Sequence, residues 1–222
     1  MSAPYSVMCF GDSLTWGWVP QTYGAPTTRY PWSDRWTGTM GDALGSGYRV
    51  LEEGLSGRGT TTDDPTDPRL NGSKHLPTAL ASHLPLDLLI LMLGTNDTKC
   101  FLRREPFDIA TGMQVLIGQA YASAGAGGTM YPAPKILLVA PPVIGELPHP
   151  YFKALFEGAA PKSRALPGLY AALADLMKVE FLDASQIIES DGLDGLHLTA
   201  ETNRKLGLAM AAKVREILPP KA

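Results

Sequence analysis

The chain has 222 residues, of which 45% are hydrophobic and 18% charged, and its formal net charge is −3. This is the composition of an ordinary globular protein with enough chain for a substantial core, and the expectation is one domain over residues 1–222. The scattered charges exclude a basic stripe for nucleic acid and a disordered charged tail.

Residues 5–10 (YSVMCF) predict a first strand that runs into GDSLTWGW, with Ser13 just past Gly11. An irregular segment, residues 19–34, follows, and then a helix around Trp36–Leu44. The second strand, residues 48–54, ends in GLSGRGT with Gly57 and leads into a second irregular segment, residues 57–74. A helix around Leu76–Leu84 precedes the third strand, residues 86–93, which ends in GTNDTK with Asn96. After a helix over Phe107–Ala124 comes the fourth strand, residues 135–142, then a third irregular segment, residues 141–162. A helix over Ser163–Met177, a fifth strand over 179–184 and a last helix over Thr199–Leu218 complete the chain, with DGLDGLH before that helix. Continuous Leu, Ile and Val runs fit strands covered on both faces, and five strand–helix alternations predict an α/β fold. The expected architecture is a three-layer α/β/α sandwich on a five-stranded parallel sheet in the flavodoxin-like order 2-1-3-4-5. The irregular segments and motifs follow strands, so they fall at the carboxyl edge, where open parallel sheets bind ligands.

Two cysteines, Cys9 and Cys100, make neither a disulfide framework nor a zinc site. With no basic leader and no apolar run of about 18 residues, the expectation is a cytoplasmic protein without a membrane or nucleic-acid partner.

The residues gathered at that edge are complementary. Ser13 is a poor nucleophile until a base takes its proton, and His197 is the natural base because histidine is the side chain whose unperturbed pKa lies near neutrality. The histidine in turn needs an acceptor on its other ring nitrogen, and Asp191 and Asp194 both lie within reach in sequence. The backbone N–H groups of Ser13 and Gly57 and the side-chain amide of Asn96 would receive a developing oxyanion, where one lost donor costs ~3 kcal/mol. The readings that carry no chemistry are a loop start at Gly-Asp-Ser, a helix cap at Gly-Thr-Asn-Asp and a turn at Asp-Gly. A haloacid-dehalogenase-type phosphatase needs Asp-x-Asp-x-Thr, and Leu14 and Trp16 stand at two of the three positions, leaving only Asp12. A non-catalytic flavodoxin-like binding module is the remaining alternative.

Four blocks in order, Gly11-Asp12-Ser13-Leu14, Gly57, Gly94-Thr95-Asn96-Asp97 and Asp194-Gly195-Leu196-His197, resemble the SGNH hydrolase superfamily, also called the GDSL esterase/lipase family. Together with DDPTDPRLNG and HLPLDL they are similar, over nearly the whole chain, to the subgroup containing the mycobacterial arylesterase/acyltransferase. The resemblance implies a triad of Ser13, His197 and Asp194, with Asp191 shaping the loop, and an oxyanion hole of Ser13, Gly57 and Asn96. It implies a serine esterase for small carboxylic esters, with no metal or cofactor, whose acyl-enzyme is resolved by water or by an alcohol. A carbohydrate O-acetylesterase or thioesterase is the alternative. It also implies a closed homo-oligomer, possibly an octamer. One departure is visible: many members carry an asparagine before the second-block glycine, where this chain reads Glu52-Glu53-Gly54.

Other residues carry weaker signals. Asp12 and Asp97 are expected to bond loop backbone, Cys9 to pack as a small hydrophobe, and His75 and His83 to flank a helix. His149 sits on a segment, Pro148–Phe152, that would overhang the site. Among Trp16, Trp18, Tyr23, Tyr30, Trp32 and Trp36, the first two are candidates to wall an apolar acyl pocket, and the rest fit the core or an interface.

Overall fold

The structure, a computed structural model, describes residues 3–21 and 26–221; the Tyr23 expectation lies outside the described residues. Five strands, β1 (Tyr5–Gly11), β2 (Tyr48–Gly54), β3 (Leu88–Met92), β4 (Lys135–Ala140) and β5 (Glu180–Asp183), pair in parallel in the order β2-β1-β3-β4-β5. This is the expected topology. β4 stops at Ala140, short of the expected 142, because Pro141 and Pro142 have no N–H to give the ladder.

Seven helices accompany the strands among the described residues: α1 (Ser13–Trp16), α2 (Trp36–Leu44), α3 (Gly72–His83), α4 (Pro106–Tyr121), α5 (Pro150–Leu155), α6 (Ala159–Met177) and α7 (Ala200–Ile217). Strand side chains alternate between two layers. Met8, Phe10, Leu89, Leu91 and Leu138 pack with α3, α4 and α6. Val7, Cys9, Leu88, Ile90, Met92 and Val139 pack with α2 and α7, where Trp36 and Met210 are fully buried. Continuous apolar strands thus divide their residues between two covered faces, as parallel sheets require. No helix among the described residues is long and apolar enough to cross a membrane.

Two helices begin four residues before the expected residue, and another lies within an irregular segment. α3 begins four residues early because the Asn71 side chain accepts from the Ser73 N–H and caps it. α6 begins at Ala159, also four residues early. The third irregular segment contains a whole helix, α5, which opens with Pro150 at its first position and the His149 Nδ1 accepting from Tyr151 N–H at 3.1 Å. Six residues are too few for a 3.6-residue period to show in the sequence.

Candidate active site

Each strand's carboxyl end delivers one part of the site. Past β1, the Asp12 carboxylate caps α1 by accepting from the Leu14 N–H at 2.9 Å, and the single helical turn places Ser13 at its first position. The His197 Nε2 lies 2.9 Å from the Ser13 Oγ, and its Nδ1 lies 2.7 Å from the Asp194 Oδ2. With Nδ1–H donating to the carboxylate, Nε2 is left to accept from the serine hydroxyl. Asp194 Oδ1 also accepts the backbone N–H groups of Leu196 at 3.0 Å and His197 at 2.9 Å. Burial pushes the Asp194 carboxyl up, but the His197 hydrogen bond and charge and the two backbone donors outweigh it and hold the acid below its ordinary range.

The two copies of Asp-Gly-Leu have different surroundings. Asp191 accepts from Thr199 N–H at 2.9 Å, Thr199 Oγ1 at 2.6 Å and Thr202 Oγ1 at 2.5 Å, so it organises the amino end of α7. Between Asp194 and His197, Gly195 has φ 74°, and a Cβ there would fall 2.0 Å from the Glu146 carbonyl oxygen. Its own carbonyl accepts from the Gly145 N–H at 2.8 Å. The loop bearing Asp194 and His197 is therefore docked directly on the segment that follows β4.

The three expected oxyanion donors line one cavity. The N–H groups of Ser13 and Gly57 have no hydrogen-bond acceptor among the described residues. Gly57 has φ 88°, a conformation that favours glycine. The Asn96 Nδ2 donates to Asp12 Oδ2 and to the Arg58 carbonyl, both at 3.2 Å. These are at the long end of such bonds, so an oxyanion competes well for the same hydrogens. Asp97, beside Asn96, accepts from the Thr60 N–H at 3.0 Å and Thr60 Oγ1 at 2.5 Å and ties the two loops together.

The cavity has a volume of about 630 Å³. Trp18 forms one wall, with its indole stacked on the His197 imidazole at 5.1 Å between centroids. Trp16 packs against Trp18 at 6.1 Å between centroids and lies under the Arg29 guanidinium, so of the two indoles it is Trp18 that meets His197. The opposite wall is α5 and its flanks, with His149, Tyr151, Phe152, Leu155 and Phe156. The overhanging segment was visible in the sequence; Leu155 and Phe156 were not, because they lie at the end of the unrecognised helix. Lys99 was also missed. It lines the cavity three residues past Asn96, bonded to the buried Asp64 at 2.7 Å, and its place just after a recognisable block was the available signal.

The remaining expectations resolve simply. Glu52 and Glu53, standing where an asparagine is common, face opposite layers. Glu52 pairs with Arg29 at 2.8 Å and Arg35 at 3.3 Å, while Glu53 meets His75 at 3.0 Å and His83 at 2.9 Å. Cys9 is buried in the core and Cys100 is exposed; both are free thiols. Among the described residues no three His, Cys, Asp or Glu side chains are grouped to hold a metal ion.

With this geometry in place, comparison with known proteins adds independent findings. The model of the GDSL-like lipase/acylhydrolase family matches residues 9–205. Among solved structures, the chain is similar to a carbohydrate acetylesterase from Sinorhizobium meliloti, with 58% identity and a TM-score of 0.95 over 96% of this chain and 100% of that one. It is similar to the native aryl esterase of M. smegmatis at 56% identity, with the same TM-score of 0.95 and the same coverage of 96% and 100%. A carbohydrate acetylesterase family member from Sinorhizobium meliloti follows at 37% identity, TM-score 0.89, over 96% of this chain and 99% of that one. Among curated proteins compared by sequence, none matches.

The site makes one pH prediction. Burial raises the Asp12 carboxyl from 3.8 to about 6, against the lowering effects of the Leu14 N–H, His197 and Arg58, with Asp97 adding to the rise. A raised folded-state pKa means that the Asp12 contribution to stability is full below about 3.8 and is lost as pH rises through about 6. The stability of Asp12→Asn relative to wild type should therefore improve between about pH 4 and pH 8, by up to roughly 3 kcal/mol. Urea unfolding of both proteins across that range tests it, and parallel pH profiles would show that folding does not raise the Asp12 pKa.

Proposed function

The chain belongs to the GDSL-like lipase/acylhydrolase family, and on that premise we propose that it is a serine esterase acting on small carboxylic esters. The observation that carries the proposal is the hydrogen-bonded chain Ser13–His197–Asp194 opening onto a cavity with aromatic walls. In this mechanism His197 takes the Ser13 proton as Oγ attacks the ester carbonyl, and Asp194 stabilises the resulting imidazolium. The carbonyl oxygen gains negative charge facing the Ser13 and Gly57 N–H groups and the Asn96 amide. His197 then gives its proton to the leaving alcohol, and the acyl-enzyme is resolved by water or by a second alcohol. The carbohydrate acetylesterase neighbour at 58% identity favours acetylated sugars as a second reading. A panel setting aryl acetates against acetylated sugars separates the two.

Ser13→Ala and His197→Ala should each lower ester turnover by about 10⁴-fold or more while leaving the melting transition in place. Asp194→Asn should cost about 10³–10⁴-fold, because the imidazole loses its orienting acceptor. Asp191→Asn, which touches only the α7 cap, should stay within roughly threefold of wild type. Kinetics on an aryl acetate give the comparison, and the reverse order of the two aspartates would refute the assignment.

The apolar cavity also supports acyl transfer to alcohols in water. Water stands at about 55 M, so an alcohol at about 1 M takes half of the acyl-enzyme only with roughly 2.4 kcal/mol of transition-state preference. Burying three or four methylene equivalents at ~0.8 kcal/mol each against Trp18, Phe152 and Phe156 supplies that. Benzyl alcohol should therefore outcompete methanol as acceptor from vinyl acetate; free acid as the sole early product at all alcohol concentrations would eliminate acyl transfer.

Exposed aromatic side chains stand near the cavity mouth and on α4, with Tyr151 at 67% and Phe107 at 71% exposure. They support a homo-oligomer in which neighbouring copies cover them. Light scattering should report a multiple of the 23.8 kDa chain mass, and a monomer in dilute solution would contradict it.

A further inference from the structure

Arg58 follows Gly57 and is almost completely buried. Its guanidinium spends its hydrogen bonds on main-chain carbonyls. Nη1 donates to the Gly11 carbonyl at 3.0 Å and to that of Glu53, and the group lies over the Phe10 ring, 4.2 Å from the centroid. Its Nε is buried with no partner among the described residues. Burial pushes its pKa down to about 10, with Glu53 and Asp12 opposing the fall, so it remains a cation at neutral pH. A guanidinium buried on carbonyls, with one nitrogen unsatisfied, is a costly way to fill a core position.

Its contacts explain the cost. Gly11 lies two residues before Ser13, and its carbonyl accepts both from Arg58 Nη1 and from the Leu55 N–H, at 3.1 Å. Glu53 lies at the end of β2, just before the turn that carries Gly57, and that turn is closed by Arg58 N–H on the Leu55 carbonyl at 3.1 Å. The Arg58 carbonyl receives the Asn96 amide at 3.2 Å. One residue thus touches the backbone supports of the Ser13 and Gly57 N–H groups and the side chain of Asn96.

We propose that Arg58 is the positioning residue of the oxyanion site, holding all three donors in register by clamping the ends of β1 and β2 with its side chain and Asn96 with its carbonyl. The proposal rests on the serine esterase reading above. Its charge has a second effect, because it offsets the Asp12 carboxylate that shares Asn96 and would otherwise oppose a developing oxyanion. Arg58 does not reach the substrate; it acts through the groups that do.

The test separates a misaligned oxyanion site from general loosening of the fold. Thionoesters put sulfur, a weak hydrogen-bond acceptor, where the ester carries its carbonyl oxygen, so they draw little on the oxyanion donors. Wild type, Arg58→Lys and Arg58→Gln are assayed on an aryl acetate and on its thiono analogue, each below its own melting transition. For the aryl acetate, kcat should fall by about 10²-fold with KM within roughly threefold, while the thiono analogue loses less than about tenfold. Equal losses on both substrates, or ester turnover within roughly threefold of wild type, would overturn the proposal. So would loss of the melting transition in both variants, which would leave Arg58 a structural role only. Labelling of wild type by a serine-directed organophosphate is the parallel control: absence of label on Ser13 defeats the esterase reading itself, whereas label on wild type with unchanged variants defeats only the role of Arg58.

Discussion

The reversal of strand order at β1 is the constraint on which the site depends. β1 pairs with β2 on one side and β3 on the other, so the connections leaving these three strands diverge at their carboxyl ends and open a crevice. Backbone at the bottom of that crevice has donors with no ladder partner. Ser13, Gly57 and Asn96 come from the three strands that border it, and the loop after β5 reaches across to bring His197 over Ser13. The candidate site is thus assembled from segments distant in sequence, each held by a strand whose own position is set by two covered faces.

Charge burial follows from this arrangement. Asp12, Asp97 and Arg58 all lie at the crevice floor and are nearly inaccessible to solvent. Burial raises the pKa of Asp97 as it does that of Asp12, although the Thr60 hydroxyl and N–H work against it. Such groups weaken a core unless their hydrogen-bonding capacity is met. Here the carboxylates are met mostly by N–H and hydroxyl donors of the loops, so their electrostatic cost is converted into fixed loop geometry. Asp194 is the contrasting case: it accepts three hydrogen bonds around His197, and its ionised form is the favoured one.

How much of this could be read from the residues depended on range. The sheet order and all five strands were legible because apolar runs such as LDLLILML are long, continuous and bounded by motifs. The blocks around Ser13, Asn96, Asp194 and His197 stand out in the sequence because each follows a strand and is short and chemically distinctive, and the fold brings them to one cavity. α5 was not, since one and a half turns framed by prolines carry no period. Trp16 and Trp18 were indistinguishable in sequence, because two residues' difference in α1 and its exit decides which indole meets His197. Arg58 gave no local signal at all: its role comes from carbonyls 47 and 5 residues away and an amide 38 residues away, which only folding brings together.

The docking of Gly195 against Gly145 and Glu146 bears on how such a site diversifies. The segment after β4 carries the loop of Asp194 and His197 on one flank and leads into the helix that walls the cavity on the other. Because a Cβ at Gly195 meets backbone at 2.0 Å, this junction has no slack. An insertion there would enlarge the cavity and displace the imidazole in the same event. Cavity shape is therefore changed with least disturbance through side chains on α5 and at its end, at Phe152, Leu155 and Phe156, where the junction stays closed.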